Sequence, residues 1–427
     1  MRTSTTAFLL SSLLSLVTAC ASASAAPHAL TDGGTEEDTG APDAGPLDQD
    51  AGPLQPVQMN DVSILLPLPK TQSEFDAMIS PAGTGSSGAL LDHTMYVNAT
   101  GFRDDAGPAV GGVTLPYSSL RLVALRLDPC FAQIGPITDP SACQNQLRLI
   151  FQSVGFTASG SPSVDDGAVH ALYSVTRAEL LDALRTIQSL RTAGHGAGDL
   201  GPLAVHPVVS AEGLTGPMAT GLAAIVAKYA GTSRLVRFTT FVGNGQFDWE
   251  FDGFDVSGGV AQALAIPTLP NAATAVTINN AQNGATPAEL ALAIVPGSTS
   301  TDDISLLLNA KAATSASHDD QQSAFDSALR VQNPNFESPN TIDCGSCHLA
   351  QPAQVLVGEQ ALGLSAVGDV NAFAAATTIP AADLQATTPV TTGLLNFHAF
   401  SYLVTTPMIN QRVINETASI VAYLSTQ

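Results

Sequence analysis

The sequence predicts a multidomain protein, with a mixed α/β or α+β N-terminal region followed by a small, mainly α C-terminal segment. The 427-residue chain is long enough for two or three compact domains. Strand-like and helix-like periodicities alternate between residues 61 and 320, whereas helical patterns flank Cys344-Gly345-Ser346-Cys347-His348 in residues 321–427. The expected divisions are a leader at 1–19, a tether at 20–60, a strand and helix region with one disulfide at 61–210, a helix and β-hairpin region at 211–320, and the C-terminal segment at 321–427. With 45% hydrophobic but only 5% aromatic residues, the cores are expected to be filled mainly by Leu, Val, Ile and Ala.

The N-terminus has the layout of an export signal. Arg2 precedes an apolar run from Ala7 to Val17 that is too short for a mature membrane span. Its end, Val17-Thr18-Ala19-Cys20, resembles the bacterial lipoprotein box, which implies lipidation of Cys20 and removal of residues 1–19. Ordinary cleavage near Ala-Ser-Ala, with loss of Cys20, is the alternative. Ala21 stands where an aspartate would resemble an inner-membrane retention signal, so the expectation is an outer-membrane lipoprotein facing the periplasm or the cell surface. Residues 21–60 carry seven acids and no Lys or Arg, and like charge without apolar bulk predicts an extended, disordered tether. No later stretch is a transmembrane candidate, so membrane contact is expected through the lipid alone.

Between 61 and 320 each element has a local cause. Val62 to Leu66 reads as a short strand stopped by Pro67 and Pro69, and Leu120–Leu127 and Gln146–Phe151 read as further strands. Thr176 and Glu179 form a capping box before a helix whose apolar stripe is Leu180, Leu181, Ala183, Leu184, Ile187 and Leu190. A second helix starts at Pro217 and ends at Tyr229, with Gly231 just beyond. Leu235–Phe241 and Phe247–Phe251, separated by Gly243-Asn244-Gly245, read as a hairpin that puts Phe247, Trp249 and Phe251 on one face. That face reads as core, with a ligand platform the second possibility. Residues 268–320 are weakly patterned, with Leu290–Val295 and Ile304–Leu308 as candidate strands.

Cysteine usage fits an oxidising compartment. Cys130 and Cys143 are expected to form a disulfide between the ends of two neighbouring strands. Closing that loop would stabilise by roughly 3 kcal/mol on the chain-entropy estimate. The net charge of −22 argues against nucleic acid and favours a basic partner or solubility in salt.

Cys344-Gly345-Ser346-Cys347-His348 carries the sharpest chemistry. Two thiols two residues apart can add across the porphyrin vinyl groups, and the adjacent histidine can reach the iron, so the run reads as a site for covalently attached haem c. A simple disulfide and a zinc site are the alternatives, although zinc would need two further ligands and no second close cysteine pair exists. Residues 321–330 read as a helix upstream, and Ile409–Leu424 as an amphipathic helix downstream.

This arrangement resembles class I cytochromes c over residues 321–427, chiefly through the attachment motif and a terminal helix containing Val421-Ala422-Tyr423-Leu424. The resemblance implies a cytochrome c-like domain in which Cys344 and Cys347 anchor haem c, His348 is the proximal ligand and Met408 the distal one. His398, between Phe397 and Ala399-Phe400, is the rival distal ligand. The Ala- and Thr-rich stretch from Ala361 to Thr392 departs from the family in having little bulk for a haem wall. His93, His170, His195, His206 and His318 read as surface or capped core histidines.

The leading functional expectation is a mono-haem c electron-transfer lipoprotein that docks a redox partner. The seven acids of residues 321–427, against Arg330 and Arg412, would complement a basic partner surface. One alternative is a haem-linked oxidoreductase acting on a small substrate. The other is a non-catalytic binding or structural lipoprotein with a Cys344–Cys347 disulfide. No Walker loop, dinucleotide fingerprint, nucleophile elbow or zincin motif requires an enzymatic activity.

Overall fold

Extended segments whose side chains alternate between two covered faces build the centre of the protein. The computed structural model describes residues 54–102, 115–129, 144–244, 248–264, 275–279, 302–337, 342, 344–385 and 398–426, apart from 197, 309, 369 and 378. The expected leader, Cys20, most of the tether, Cys130, Cys143 and Leu290–Val295 lie outside the described residues.

Nine strands form the main sheet. They are β1 (Ser63–Leu65), β2 (Leu120–Asp128), β3 (Asn145–Phe156), β4 (Pro162–Val164), β5 (Gly167–Val175), β6 (Leu235–Asn244), β7 (Asp248–Ser257), β8 (Val260–Ala263) and β9 (Ala275–Asn279). The spatial order is β1-β2-β3-β5-β6-β7-β8, with β4 on β3 and β9 on β7. All of these pairings are antiparallel. Helices Arg177–His195, Pro207–Glu212 and Pro217–Tyr229 come as one block between β5 and β6, with the other helices before β2 or after β9, instead of alternating with the strands, the α+β form of the expected class. The β5–β6 pairing carries the sheet straight across position 210, and residues 51–427 form one compact unit.

The two longer helices of that block follow their local signals. In α1 (Arg177–His195), Thr176 Oγ1 accepts from Glu179 N at 3.2 Å and Glu179 Oε2 accepts from Thr176 N at 2.8 Å. Helix α2 (Pro217–Tyr229) has proline in its first turn and buries Leu222, Ile225, Val226 and Tyr229. Gly221 lets α1 approach closely, since a Cβ there would lie 2.3 Å from a Leu190 methyl.

Register separates the two faces of the sheet. Leu125, Leu149, Ala171, Phe238 and Phe254 are successive cross-strand partners on an apolar face. Tyr96, from the helix His93–Thr100, packs 6.3 Å from the Phe238 ring on that side. The opposite face carries Ser63, Arg126, Arg148, Gln152, His170, Phe241 and Phe251. The more helical C-terminal part covers this second face.

That part contains α3 (His318–Val331), α4 (Cys344–Pro352), a hairpin of β10 (Phe400–Leu403) and β11 (Thr406–Ile409), and α5 (Gln411–Leu424). Pro352 has no N–H to continue the α-helical ladder, and the chain runs on through Ala361 in wider turns, with Leu362 N donating to Val357 O at 3.0 Å. Gly358 admits the Phe325 ring of α3, where a Cβ would lie 2.4 Å from a ring carbon. Two local expectations change. Ser305–Leu308 is a 3-10 turn, not a strand, and Met408 belongs to β11, with the terminal helix starting two residues after Ile409.

Charge joins the layers. Arg126 on β2 contacts Asp128 at 2.6 Å and Glu416 of α5 at 2.7 Å, while Arg148 on β3 meets Asp128 at 2.8 Å. Glu416 also pairs with Arg412 at 2.5 Å, and Arg412 donates to the carbonyls of Val331 and Glu337. Burial raises the Glu416 pKa, but Arg412, Arg126 and Arg148 outweigh it and hold the carboxyl at about 2, against an ordinary 4.5. Its stabilising contribution is therefore present above about pH 4.5 and is lost as pH falls towards 2. Replacing Glu416 with Ala leaves two buried guanidinium groups short of a counter-charge and is expected to cost about 3–5 kcal/mol in a urea unfolding experiment.

His206 adds a second acid-sensitive point. It is fully buried, and its Nδ1 accepts from Val209 N at 3.4 Å as the cap of helix Pro207–Glu212. Burial, with Arg191 and His195 nearby, lowers its pKa from 6.5 to about 4. The neutral ring stabilises the fold fully above pH 6.5, and this contribution is lost as pH falls towards 4. In His206→Asn, stability should lose up to about 3 kcal/mol of its pH dependence across that window, measured by urea titrations at stepped pH.

Candidate functional site

The Cys-Gly-Ser-Cys-His run forms the first turns of α4, which places Cys344, Cys347 and His348 at i, i+3 and i+4 on one face. Gly345, Ser346, Leu349 and Ala350 are buried on the other side, anchoring the helix. Cys344 and Cys347 are half-buried thiols, and His348 is half-buried beside them. Small residues at 345 and 346 allow this helix to enter the core at its very start, leaving the reactive face at the boundary.

His348 packs on the polar face of the sheet. Its ring centroid lies 5.6 Å from Phe241 and 5.4 Å from Phe251, which are cross-strand partners on β6 and β7. Phe251, from the aromatic strand read as core, thus supports the motif histidine as well. Phe241 also meets the edge of His398, at 5.2 Å between centroids. Phe241 therefore joins His348 to His398.

His398 is held at both nitrogens, with Nδ1 2.9 Å from Ser401 Oγ and Nε2 2.8 Å from Asp166 Oδ1. The residue types match a nucleophilic triad, but the accessibility is inverted. Ser401 is 3% exposed, while the Asp166 side chain is 39% exposed. A nucleophile has to meet its substrate, so this arrangement positions the histidine and does not attack. Met408 lies opposite Ser401 in the β10–β11 register and is 5% exposed. It is buried without joining the continuous hydrophobic core of the described residues.

Gln152 fixes this hairpin to the sheet. Its amide donates to Gly167 O at 3.1 Å and Tyr402 O at 3.0 Å, and accepts from Tyr402 N at 2.8 Å. Tyr402 in turn donates its hydroxyl to Leu66 O at 2.6 Å. These contacts carry His398 and Met408 to the same side of the sheet as His348.

Compared with family models, curated proteins and solved structures, the chain matches none. Among the described residues no group of three or more His, Cys, Asp or Glu side chains is placed to hold a metal ion. Nor is any described helix long and apolar enough to cross a membrane.

The structure adds His170, on β5, to the sequence-derived candidates. It shares the sheet face of Phe241, because Ala168 pairs with Phe241 and His170 with Thr239. Burial, with Arg148, His348 and Arg126 nearby, drives its pKa well below 6.5. The alternation of β5 was available in the sequence, but nothing there shows that a helix bearing His348 covers this face.

Gln152→Ala leaves the buried Tyr402 backbone groups without their partner and should cost about 1–3 kcal/mol in chemical unfolding. Hydrogen exchange in the β10–β11 hairpin should accelerate more than exchange in β5.

Proposed function

We propose that this protein is a mono-haem c electron-transfer lipoprotein of the bacterial cell envelope. The observation that carries the reading is the placement of Cys344, Cys347 and His348 on one half-buried face at the start of α4, with His348 against Phe241 and Phe251. Their donor set suits haem c, with two thiols for thioether bonds and an imidazole for iron. The bound group would supply a one-electron redox couple.

The chain's own residues have defined tasks in this reading. Cys344 and Cys347 Sγ would anchor the group, and His348 would supply a nitrogen to its iron. Phe241 and Phe251 orient the His348 ring and cover one side of it. The resemblance to class I cytochromes c puts Met408 in the distal position, with His398 as rival. Both nitrogens of His398 already have hydrogen-bond partners, so ligation there would require the loss of one bond. Cys20 would carry the lipid, and the acidic C-terminal segment would dock a basic redox partner.

Expression of the full chain in a host with haem c maturation machinery tests the reading. The purified protein should keep a Soret band and stain for haem after complete denaturation. The double substitution Cys344→Ala and Cys347→Ala should abolish both signals. A wild-type preparation that releases all pigment on denaturation, or never acquires any, would rule the proposal out.

A further inference from the structure

We infer that the loop from Gly363 to Asn371, beside α3, is the surface on which a partner protein docks, one that presents an apolar centre ringed by lysine or arginine. The redox role of that partner rests on the haem c reading above. The surface itself stands whatever Cys344 and Cys347 hold.

Apolar exposure is the first argument. Among the described residues five large apolar side chains are exposed, and three of them belong to this region: Val367 at 63%, Val370 at 71% and Phe336 at 39%. The two valines are on the loop itself. Phe336 donates its N–H to Asn333 O at 3.0 Å, and the Asn333 side chain holds the end of the loop through Asn371 O. Single exposed apolar side chains are ordinary, but several on one short stretch mark a contact surface.

The loop is also held in this form. Leu364 is buried and Ala366 packs on the core, which anchors the chain from inside. On the outside, Asp319, Gln322, Asp326 and Arg330 of α3, at i, i+3, i+7 and i+11, share one helix face. Gln322 Nε2 donates to Ser365 O at 3.2 Å, and Arg330 donates to Asn371 Oδ1 at 3.3 Å. Asn333 Nδ2 adds a bond to Asn371 O at 3.1 Å. Gly368, at φ 70°, turns the chain between the two valines. Both valines are therefore presented by a fixed backbone, so a partner loses little affinity to ordering it.

Charge decides the occupant. The stripe that grips the loop places Asp319 and Asp326 alongside it, and Gln322 Nε2 also donates to Asp326 Oδ1 at 2.9 Å. Glu359 is exposed one turn before Gly363, whose N–H donates to the Glu359 carbonyl. Against these acids stand Arg330, which Asp302 engages at 2.6 Å, and Lys311 on the preceding helix Ala310–Ser315. An apolar patch with an acidic rim is complementary to a protein surface with a basic rim around an apolar centre. It is mismatched to anionic lipid headgroups. A second copy would set two acidic rims against each other, in a chain of net charge −22.

The test is binding of two synthetic helical peptides to the full chain, read by fluorescence anisotropy and hydrogen exchange. Both carry lysines flanking one stripe, filled by leucines in the first peptide and by serines in the second. The leucine peptide should bind more tightly and should slow exchange in residues 363–371 and α3. Val367→Ser combined with Val370→Ser should raise its Kd about tenfold and erase its advantage over the serine peptide. Asp319→Asn combined with Asp326→Asn should weaken both peptides at low salt and flatten the salt dependence. Val404→Ser, at an exposed valine of the β10–β11 turn, should bind as the wild type does. Should the serine variant fail to fold, Val367→Ala combined with Val370→Ala replaces it, with a smaller change in the same direction. Equal affinity for the two peptides, unchanged binding in the valine variants, or protection confined to another face overturns the docking surface. So does loop-dependent adhesion to phosphatidylglycerol vesicles, or a dimer of the chain that dissociates in the valine variant. Repeating the titration with Cys344→Ala and Cys347→Ala keeps the two readings apart. If haem is not retained and the leucine peptide still binds the loop, the surface stands and only the redox role of its partner falls.

Discussion

The seating of the C-terminal part depends on one buried carboxylate. Glu416 stands between Arg126 of the sheet and Arg412 of its own helix, and Arg412 reaches on to the carbonyls of Val331 and Glu337. Three parts of the chain, distant in sequence, thereby converge on one charge. Taking these groups out of water is costly, and their mutual attraction is realised only when all are in place. An apolar interface would also exclude water, but it would tolerate sliding. Directional ion pairs select one seating of α5 on the sheet, and Ser63 adds to it through a 2.8 Å hydrogen bond to Thr417.

The geometry of the site follows from that seating. With α5 fixed on β2, the preceding hairpin is held against β3 through Gln152, and His398 is brought to Asp166. Gln351 of α4 accepts a hydrogen bond from Gln411 N at 2.9 Å, coupling the motif helix to the start of α5. His348 then falls on the Phe241–Phe251 pair. Positioning of the motif histidine therefore depends on contacts made by residues far from it in sequence.

Local signals made much of the sheet-and-helix scaffold legible. The Thr176–Glu179 capping box and the Pro217 start of α2 depend on neighbouring residues, and each is present. Strands β2 and β3 are sheet neighbours as expected, although the Cys130–Cys143 disulfide that predicts their adjacency lies outside the described residues. Legibility failed where the deciding partner is distant. Three consecutive leucines, 306 to 308, are too few for periodicity to separate a strand from a 3-10 turn. Arg126 and Arg148 alternate with leucines, a pattern that ordinarily marks a solvent-facing side. Here the charged face is covered, because Asp128 and Glu416 supply the counter-charges. The same limit hid His170: strand alternation shows which residues share its face, but not what lies above them.

The covered polar face also brings strands of the long N-terminal region against the Cys-Gly-Ser-Cys-His helix. A Cys-x-x-Cys-His helix can present a group, but it cannot by itself enclose one. Phe241 and Phe251 provide an aromatic floor from β6 and β7, and β5 places an imidazole beside that floor. The sheet is thus one wall around His348, and a motif in the last quarter of the chain is folded onto strands that begin at Ser63.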